Sequence, residues 1–199
     1  VDDHDLKIDF IIRGDDHLNN TFRQKYIYDF LDWKIPQYAH LPLIKGEDGS
    51  KLSKRHGSVN LLELKQKGYL KESIINNLIL LGWSSNPNGE EIISIDEIIN
   101  KFEINKISKS SSIFSYKKLN FFNNHYLRTD NGTDEFKKFC QTNKNLKNFF
   151  DEDKDKMNKI FEIYKKDLNN FNEIIEIVKV YFNKEYKINN DEKLNEDFK

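Results

Sequence analysis

The segment 45-KGEDGSKLSKRHGS-58 gathers three cationic side chains within five positions of a loop that its glycines are expected to keep mobile. Those side chains belong to Lys51, Lys54 and Arg55. Mutual repulsion among like charges contributes nothing to a fold, so the cluster indicates that the loop receives an anion. Triphosphate chemistry fits a loop of this composition.

The spacing of the two lysines defines how the loop would act. Lys51 and Lys54 are three positions apart, so in a tight turn or at a helix start their ammonium groups can converge on one polyanion. At about 4 Å and an effective dielectric near 20, each would contribute roughly a few kcal/mol to phosphate binding. The contribution grows as charge develops in a transition state. The stretch is not a P-loop, because that motif needs four residues between its glycines and then Gly-Lys-Ser/Thr.

An order of strand, helix and strand precedes this loop and would position it. The run 7-KIDFIIR-13 predicts a buried strand that ends at the turn Gly14-Asp15-Asp16, and 39-AHLPLI-44 predicts a second strand. Between them, 20-NTFRQKYIYDFLDW-33 predicts a helix with Asn20 or Thr21 as its N-cap. Its apolar side chains share one stripe: Phe22, Tyr26, Ile27, Phe30 and Leu31. Ligands of parallel α/β sheets collect at the carboxyl ends of strands, where both the turn and the cationic loop would lie.

The remainder of the chain is predicted to be helical. Ser94 and Glu97 have the spacing of a capping box, and another helix is predicted to begin near Ser115. Glycine C-caps end two of the predicted helices, at Gly68 and Gly82. The other helices are predicted at 61–68, 70–82, 133–140, 154–168 and 171–183, ahead of a polar tail from 184. The predicted fold class is α/β followed by all-α, with domains at 1–130 and 131–199 divided near Asn131-Gly132.

Composition limits the class of protein. With 37% hydrophobic residues, no apolar run near the roughly 20 residues of a membrane span and no signal-peptide pattern, we expect a soluble cytoplasmic protein. The single Cys140 excludes an internal disulfide and is expected to be a small buried apolar residue. No metal site is expected, because the histidines lack metal-ligand spacing, and His4, His40 and His125 are interpreted as polar or packing residues.

Charge is unevenly distributed although the net charge is −1. Residues 101–150 carry ten basic and four acidic side chains, a local excess of six positive charges. Such a stretch fits a surface that contacts a phosphate backbone, and it fits a solvated lysine-rich face equally well. The chain begins at Val1 and its one methionine is Met157, so we expect it to be a fragment of a longer protein.

Three blocks of the sequence resemble one family in its order and spacing. The stretch 51-KLSKR-55 resembles the lysine-serine-lysine signature of class I aminoacyl-tRNA synthetases, and 54-KRHGSVNLLELKQKGYLKESIINNLILLGWS-84 resembles bacterial glutamyl-tRNA synthetase. Upstream, 8-IDFIIRGDDHLNNTFRQ-24 is similar to the strand and turn that precede the signature. Downstream, 113-IFSYKKLNFFNNHYL-127 resembles the stem-contact region. Together the blocks cover most of residues 1–130.

The resemblance implies roles for the cationic loop. Lys51 and Lys54 would bind the ATP phosphates, with Ser53 between them, and would stabilise the departing pyrophosphate as the amino-acid carboxylate attacks the α-phosphate. Leu52 replaces the methionine that is commonest there, a volume-conserving apolar exchange. Arg55, with Lys117 and Lys118 further along, would contact tRNA. The alternative for Arg55 is a solvated surface side chain.

The resemblance also assigns the end of the first strand. Arg13 would hold the substrate glutamate, since a guanidinium can bind a carboxylate through two hydrogen bonds. The alternative is a surface arginine paired with Asp15 or Asp16. Asp16 and His17 would lie near the ATP ribose and adenine, although His17 is also a plain helix-entry residue.

Taken whole, the resemblance implies the C-terminal half of a Rossmann-like catalytic domain, a helical stem-contact region and the start of a helical anticodon-binding region. The expected activity is ATP-dependent ligation of L-glutamate to tRNA(Glu) through glutamyl-adenylate, with ATP used as its Mg²⁺ complex by a monomer. The family's His-x-Gly-His signature is missing from this sequence, so we expect the 199 residues to be inactive alone.

Two other functions remain open at the level of sequence. A glutaminyl-tRNA synthetase is a close relative, but its anticodon-binding part is a β-barrel, and the helices predicted for 131–199 disfavour it. The same helices disfavour the truncated paralogue that modifies a tRNA base. A non-catalytic RNA-binding module, using residues 101–150 as its contact surface, is the alternative of a different class.

Overall fold

The structure is a computed structural model that describes residues 1–52, 60–83 and 89–183. Contacts between Cα atoms divide the chain into two compact units. The first unit comprises Val1–Leu64 and Lys71–Phe122, and the second comprises Lys65–Leu70 and the residues from Asn123 onward. The Asn131-Gly132 position chosen from sequence lies in the first turn of a helix that begins at Asp130. What each predicted domain contributes to function stays a prediction.

A pair of parallel strands organises the first unit. β1 (Phe10–Gly14) and β2 (Gln37–Leu41) run parallel, with Arg13 directly opposite His40. A 3₁₀ turn at Asp15–His17 and helix α2 (Leu18–Phe30) connect them, after a short N-terminal helix α1 (Asp2–Asp5). The predicted order of strand, helix and parallel strand is therefore confirmed.

Two details predicted for this region are wrong. Helix α2 begins at Leu18, because the 3₁₀ turn runs directly into it, and neither Asn20 nor Thr21 is its N-cap. The predicted apolar stripe is exposed: the exposed fraction is 59% for Phe22 and 88% for Phe30, and the buried residue of α2 is Tyr28.

The first strand is also more open than predicted. In β1, Phe10 is 38% and Ile12 is 52% exposed. Among the described residues, β1 has β2 as its single strand neighbour, so neither of its faces is covered as in a wider sheet. The apolar run predicts a strand correctly and its burial incorrectly.

Helices make up most of the rest of the first unit. α4 (Lys71–Gly82) and α5 (Ile95–Lys101) lie there, and the chain also forms α3 (Leu61–Lys67) and α6 (Tyr116–Leu127). The capping box of α5 is present: the Ser94 hydroxyl accepts a hydrogen bond from the Glu97 N–H, and the Glu97 carboxylate accepts one from the Ser94 N–H. Gly68 has the φ of +84° expected of a C-cap glycine. Gly82 is the last residue of α4 and does not have a positive φ.

The second unit is a helical assembly with a continuous aromatic core. Its further elements are α7 (Asp130–Thr142), α8 (Lys147–Glu152), α9 (Lys154–Tyr164), a 3₁₀ turn (Phe171–Glu173) and α10 (Ile174–Phe182). Phe136 stacks on Phe161 with ring centroids 4.2 Å apart, and the buried Phe171 contacts both rings. Cys140 is fully buried beside them, and burial raises the pKa of its thiol to about 12. The structural interpretation of Cys140 is confirmed.

Candidate functional site

A hairpin presents Lys51. The backbone N–H of Gly46 donates to the carbonyl of Ser50 at 2.9 Å, and that of Leu52 donates to Ile44 at 3.1 Å. Gly49 occupies the turn with a φ of +76°, a conformation that glycine adopts without strain. Residues 44–52 are therefore a hydrogen-bonded hairpin, and the expectation of a loop that glycine keeps mobile is wrong for this part of it.

The base of this hairpin is fixed to a distant part of the chain. Its first strand, β3 (Ile44–Lys45), pairs in parallel with β4 (Ser112–Ile113). The Phe114 N–H donates to the carbonyl of Lys45 at 2.9 Å, and the Ser115 hydroxyl donates to the Glu47 carboxylate at 2.7 Å. The position of Lys51 is therefore set by pairing at the hairpin base.

The cationic hairpin meets the turn after β1. The Nζ of Lys51 lies 2.6 Å from an Asp16 carboxylate oxygen, and His17 Nε2 lies 3.9 Å from the other. The hydrogen bond from Lys51 lowers the pKa of Asp16. The expectation that the turn and the loop share the carboxyl edge of the strands is confirmed for Asp16 and Lys51.

Arg13 is held by uncharged partners at the same edge. One of its terminal N–H groups donates to the Thr21 hydroxyl, and its Nε–H donates to His40 Nε2 at 3.4 Å. The guanidinium carbon lies 5.2 Å from the centroid of the Tyr38 ring. Within the described residues no carboxylate forms an ion pair with Arg13, so the alternative pairing with Asp15 or Asp16 is not observed.

The contacts around Arg13 were not predicted. Sequence analysis interpreted His40 as an ordinary polar residue and gave Thr21 a capping role, but both touch Arg13 or each other. The register that sets His40 opposite Arg13 is the missing information, because it follows from strand pairing and not from spacing along the chain.

The remaining predicted contacts to ATP and tRNA divide into two groups. Ser53, Lys54 and Arg55 lie outside the described residues, so the convergence of Lys51 and Lys54 stays a prediction. Lys118 forms an ion pair with Glu91 at 2.8 Å, whereas Lys117 is exposed and forms no ion pair with a described residue.

Ion pairing also reduces the positive surface of residues 101–150. Six of the ten basic side chains there pair with carboxylates: Lys101, Lys106, Lys118, Lys137, Lys138 and Lys147. Surface pairs of this kind belong to a solvated face. That observation favours the second of the two interpretations of the charge excess, except at the side chains left over.

An apolar cavity in the first unit is separate from these residues. Its volume is about 240 Å³, and its lining includes Leu41, Leu78, Trp83 and Phe102. None of the site residues predicted from sequence lines it. Among the described residues there is also no group of three or more His, Cys, Asp and Glu side chains able to hold a metal ion.

A parallel strand pair with cations gathered at its carboxyl edge defines an α/β protein that binds an anionic ligand. Residues 1–121 match the family described as tRNA synthetases class I (E and Q), catalytic domain, and the chain belongs to this family. No described helix has the length and apolarity to cross a membrane.

The relatives are consistent in kind. A glutamate–tRNA ligase from Legionella pneumophila (strain Paris) is 48% identical over 130 residues, which are 65% of this chain and 27% of that protein. Glutamate–tRNA ligase 1 from Ehrlichia canis (strain Jake) is 51% identical over 134 residues, covering 67% of this chain and 28% of its own. The chain therefore spans little more than a quarter of these proteins.

A solved structure resembles almost the whole chain. The crystal structure of a glutamate tRNA ligase from Elizabethkingia meningosepticum CCUG26117 in complex with its amino acid has a TM-score of 0.71 and 32% identity. The similarity covers 90% of this chain and 39% of that one.

Proposed function

We propose that this chain takes part in ligating L-glutamate to tRNA(Glu) through a glutamyl-adenylate. One observation carries the proposal. Lys51 and Arg13 are far apart in the sequence, but Arg13 ends β1 and Lys51 contacts Asp16 three residues later. A cation suited to phosphate and a guanidinium suited to a carboxylate therefore serve one edge of the strand pair.

Each group has a role in adenylate formation. ATP enters as its Mg²⁺ complex, and Lys51, Ser53 and Lys54 bind its phosphates. Arg13 holds the glutamate. The lysines neutralise the pyrophosphate as the amino-acid carboxylate displaces it from the α-phosphate, so their contribution is largest in the transition state.

The ion pair between Lys51 and Asp16 suggests an exchange of partners on ATP binding. The phosphates would take Lys51 from Asp16, and the ribose hydroxyls would then donate to the freed Asp16 carboxylate, with His17 beside the nucleotide. Because the pair is exposed, its loss costs little and the exchange is easily reversed.

The helical parts of the chain would serve tRNA. We assign residues 1–130 to the C-terminal half of a Rossmann-like catalytic domain with its stem-contact region, and 131–199 to the start of the anticodon-binding part. The regular elements of residues 123–183 are all helical, which supports this assignment over a glutaminyl-type β-barrel. Lys117 is the better candidate for a phosphate contact than Lys118, whose charge is already paired with Glu91. Arg55 stays a candidate beside it.

The test measures adenylate formation and tRNA binding separately in the full gene product. Lys54→Ala, and likewise Lys51→Ala, should lower the pre-steady-state rate of glutamyl-adenylate formation by roughly 10²–10³, the usual loss for one transition-state donor. The affinity for tRNA(Glu) should not change. Lys25→Ala, which removes an exposed lysine of α2, is the matched control and should leave both quantities unchanged.

Three results would contradict the proposal. Unchanged adenylate formation in Lys54→Ala would remove the role of the lysine signature. Binding of tRNA without any glutamate-dependent chemistry in the wild type would favour the non-catalytic RNA-binding module. Preferential charging of tRNA(Gln) with glutamine would favour the glutaminyl-type enzyme.

A further inference from the structure

We propose that Thr21, Tyr38 and His40 are positioning residues that hold the Arg13 guanidinium in one orientation for the substrate carboxylate, with His40 neutral. The inference rests on the proposed function, in which Arg13 binds glutamate. It adds three residues for which neither the sequence nor the relatives supply a role.

The hydrogen-bond directions in this cluster are fixed by what each group can donate. An arginine has no acceptor, so the Thr21 oxygen must accept from the Arg13 terminal N–H. The Thr21 hydroxyl proton is then left for His40 Nε2, which lies 2.9 Å away. His40 Nε2 also accepts from the Arg13 Nε–H at 3.4 Å. A nitrogen that accepts both bonds carries no proton, so His40 is neutral with its proton on Nδ1.

The flat face of the guanidinium is held as well as its edge. The Tyr38 ring lies beneath it at 5.2 Å, and Tyr38 in turn stacks on His40 with centroids 6.2 Å apart and an 11° interplanar angle. The Tyr38 hydroxyl is buried without a hydrogen-bond partner in the described structure. The ring of Tyr38, and not its hydroxyl, therefore supports Arg13.

These contacts leave one face of the guanidinium available. Of its five N–H groups, the Nε–H and one terminal N–H are used by His40 and Thr21. The other three belong to the two terminal nitrogens and have no partner in the part of the chain that the structure describes. Two terminal nitrogens side by side can bind a carboxylate through parallel hydrogen bonds. Restraining the opposite edge orients that pair before the substrate arrives.

A purely structural role for the cluster has different consequences. Thr21 lies on α2 and His40 on β2, so their contact also joins helix to strand. If that were its only purpose, removing it would lower stability without selecting among substrates. A positioning role should raise the KM for glutamate and leave the KM for ATP unchanged.

Two matched pairs of variants separate these roles by glutamate-dependent ATP–pyrophosphate exchange in the full gene product. Thr21→Val removes the hydroxyl while keeping the shape, and Thr21→Ser keeps the hydroxyl. His40→Leu removes the acceptor, and His40→Gln supplies an amide oxygen in its place. We expect Thr21→Val and His40→Leu to raise the KM for glutamate about tenfold, the effect of one lost hydrogen bond, with Thr21→Ser and His40→Gln close to wild type. Tyr38→Phe, which keeps the ring, should also behave as wild type.

A second measurement keeps the inference testable without activity. The 199-residue chain has four arginines, Arg13, Arg23, Arg55 and Arg128, so its Nε–H NMR signals are few. The Arg13 Nε–H should exchange slowly with water in the wild type and Thr21→Ser, and faster in Thr21→Val. Equal exchange in all three, or equal KM increases for glutamate and ATP, would overturn the positioning role. Absence of exchange activity in the wild type would overturn the proposed function alone.

Discussion

The two units of this protein place their apolar side chains differently. In the second unit the large aromatic residues face one another, as in the stack of Phe136 on Phe161, and the core is closed. In the first unit the apolar side chains of β1 and α2 are largely exposed, while a polar cluster occupies the carboxyl edge of the strands. Stability and chemistry therefore draw on different parts of the sequence, and variants should separate them.

The largest effect is expected from the centre of the aromatic core. Phe171 is 2% exposed and its ring contacts those of Phe136, Phe139 and Phe161. Phe171→Ala should lower the free energy of unfolding of the second unit by about 3–5 kcal/mol, because a buried ring leaves a cavity. Phe30→Ala is the matched control, since its ring is 88% exposed, and should change the stability by less than about 0.5 kcal/mol. Urea denaturation followed by circular dichroism measures both, and equal losses would remove the contrast between the units.

A smaller effect is expected where two backbone segments approach closely. A Cβ on Gly132 would lie 2.5 Å from the carbonyl oxygens of Tyr126 and Leu127, so Gly132→Ala forces α7 to shift. We expect a loss of about 1–3 kcal/mol, as for other overpacked sites. Cys140 on the same helix reports the loss, because its buried thiol can be labelled only when the unit opens.

The labelling experiment has an internal comparison. Gln141→Ala changes an exposed residue of α7 and should leave the rate of Cys140 labelling unchanged. Gly132→Ala should raise that rate roughly tenfold or more. A wild-type rate in Gly132→Ala would mean that the helix accommodates the methyl group without strain.

The smallest effect is expected at the exposed ion pair of the first unit. Lys51 lowers the pKa of Asp16 in the folded state below its ordinary value of 3.8. The stabilisation from this pair is therefore present above that value and is lost as the pH falls through the lowered pKa. Lys51→Met should return the Asp16 pKa toward 3.8, whereas Lys25→Met should not, in an NMR titration of the carboxyl carbon. The same Asp16 pKa with and without Lys51 would show that the two groups do not pair in solution.

Local sequence patterns predicted the elements better than their surroundings. The strand order, the capping box at Ser94 and the helices near 154–168 and 171–183 follow from spacing between neighbours in the chain, and the structure contains each of them. Burial failed where it depends on what covers an element, as at Phe10 and Phe22. Helix α8 was missed because its six residues show no helical period.

The candidate site divides along the same line. The meeting of Asp16 with Lys51 was expected, because both lie at carboxyl ends of strands, a rule that needs only the element order. The partners of Arg13 were not, since the contact with His40 depends on register and that with Thr21 on the rotation of α2. Neither quantity is written in the spacing of residues along one strand.

The hairpin of residues 44–52 has a consequence for which insertions the chain tolerates. Lys51 faces Asp16 because the turn between the paired backbone groups of Gly46 and Ser50 has a set length. Side chains alternate from face to face along a strand, so deleting one residue of the turn would send the ammonium group to the opposite side. Homologous chains should therefore vary this turn in composition far more readily than in length.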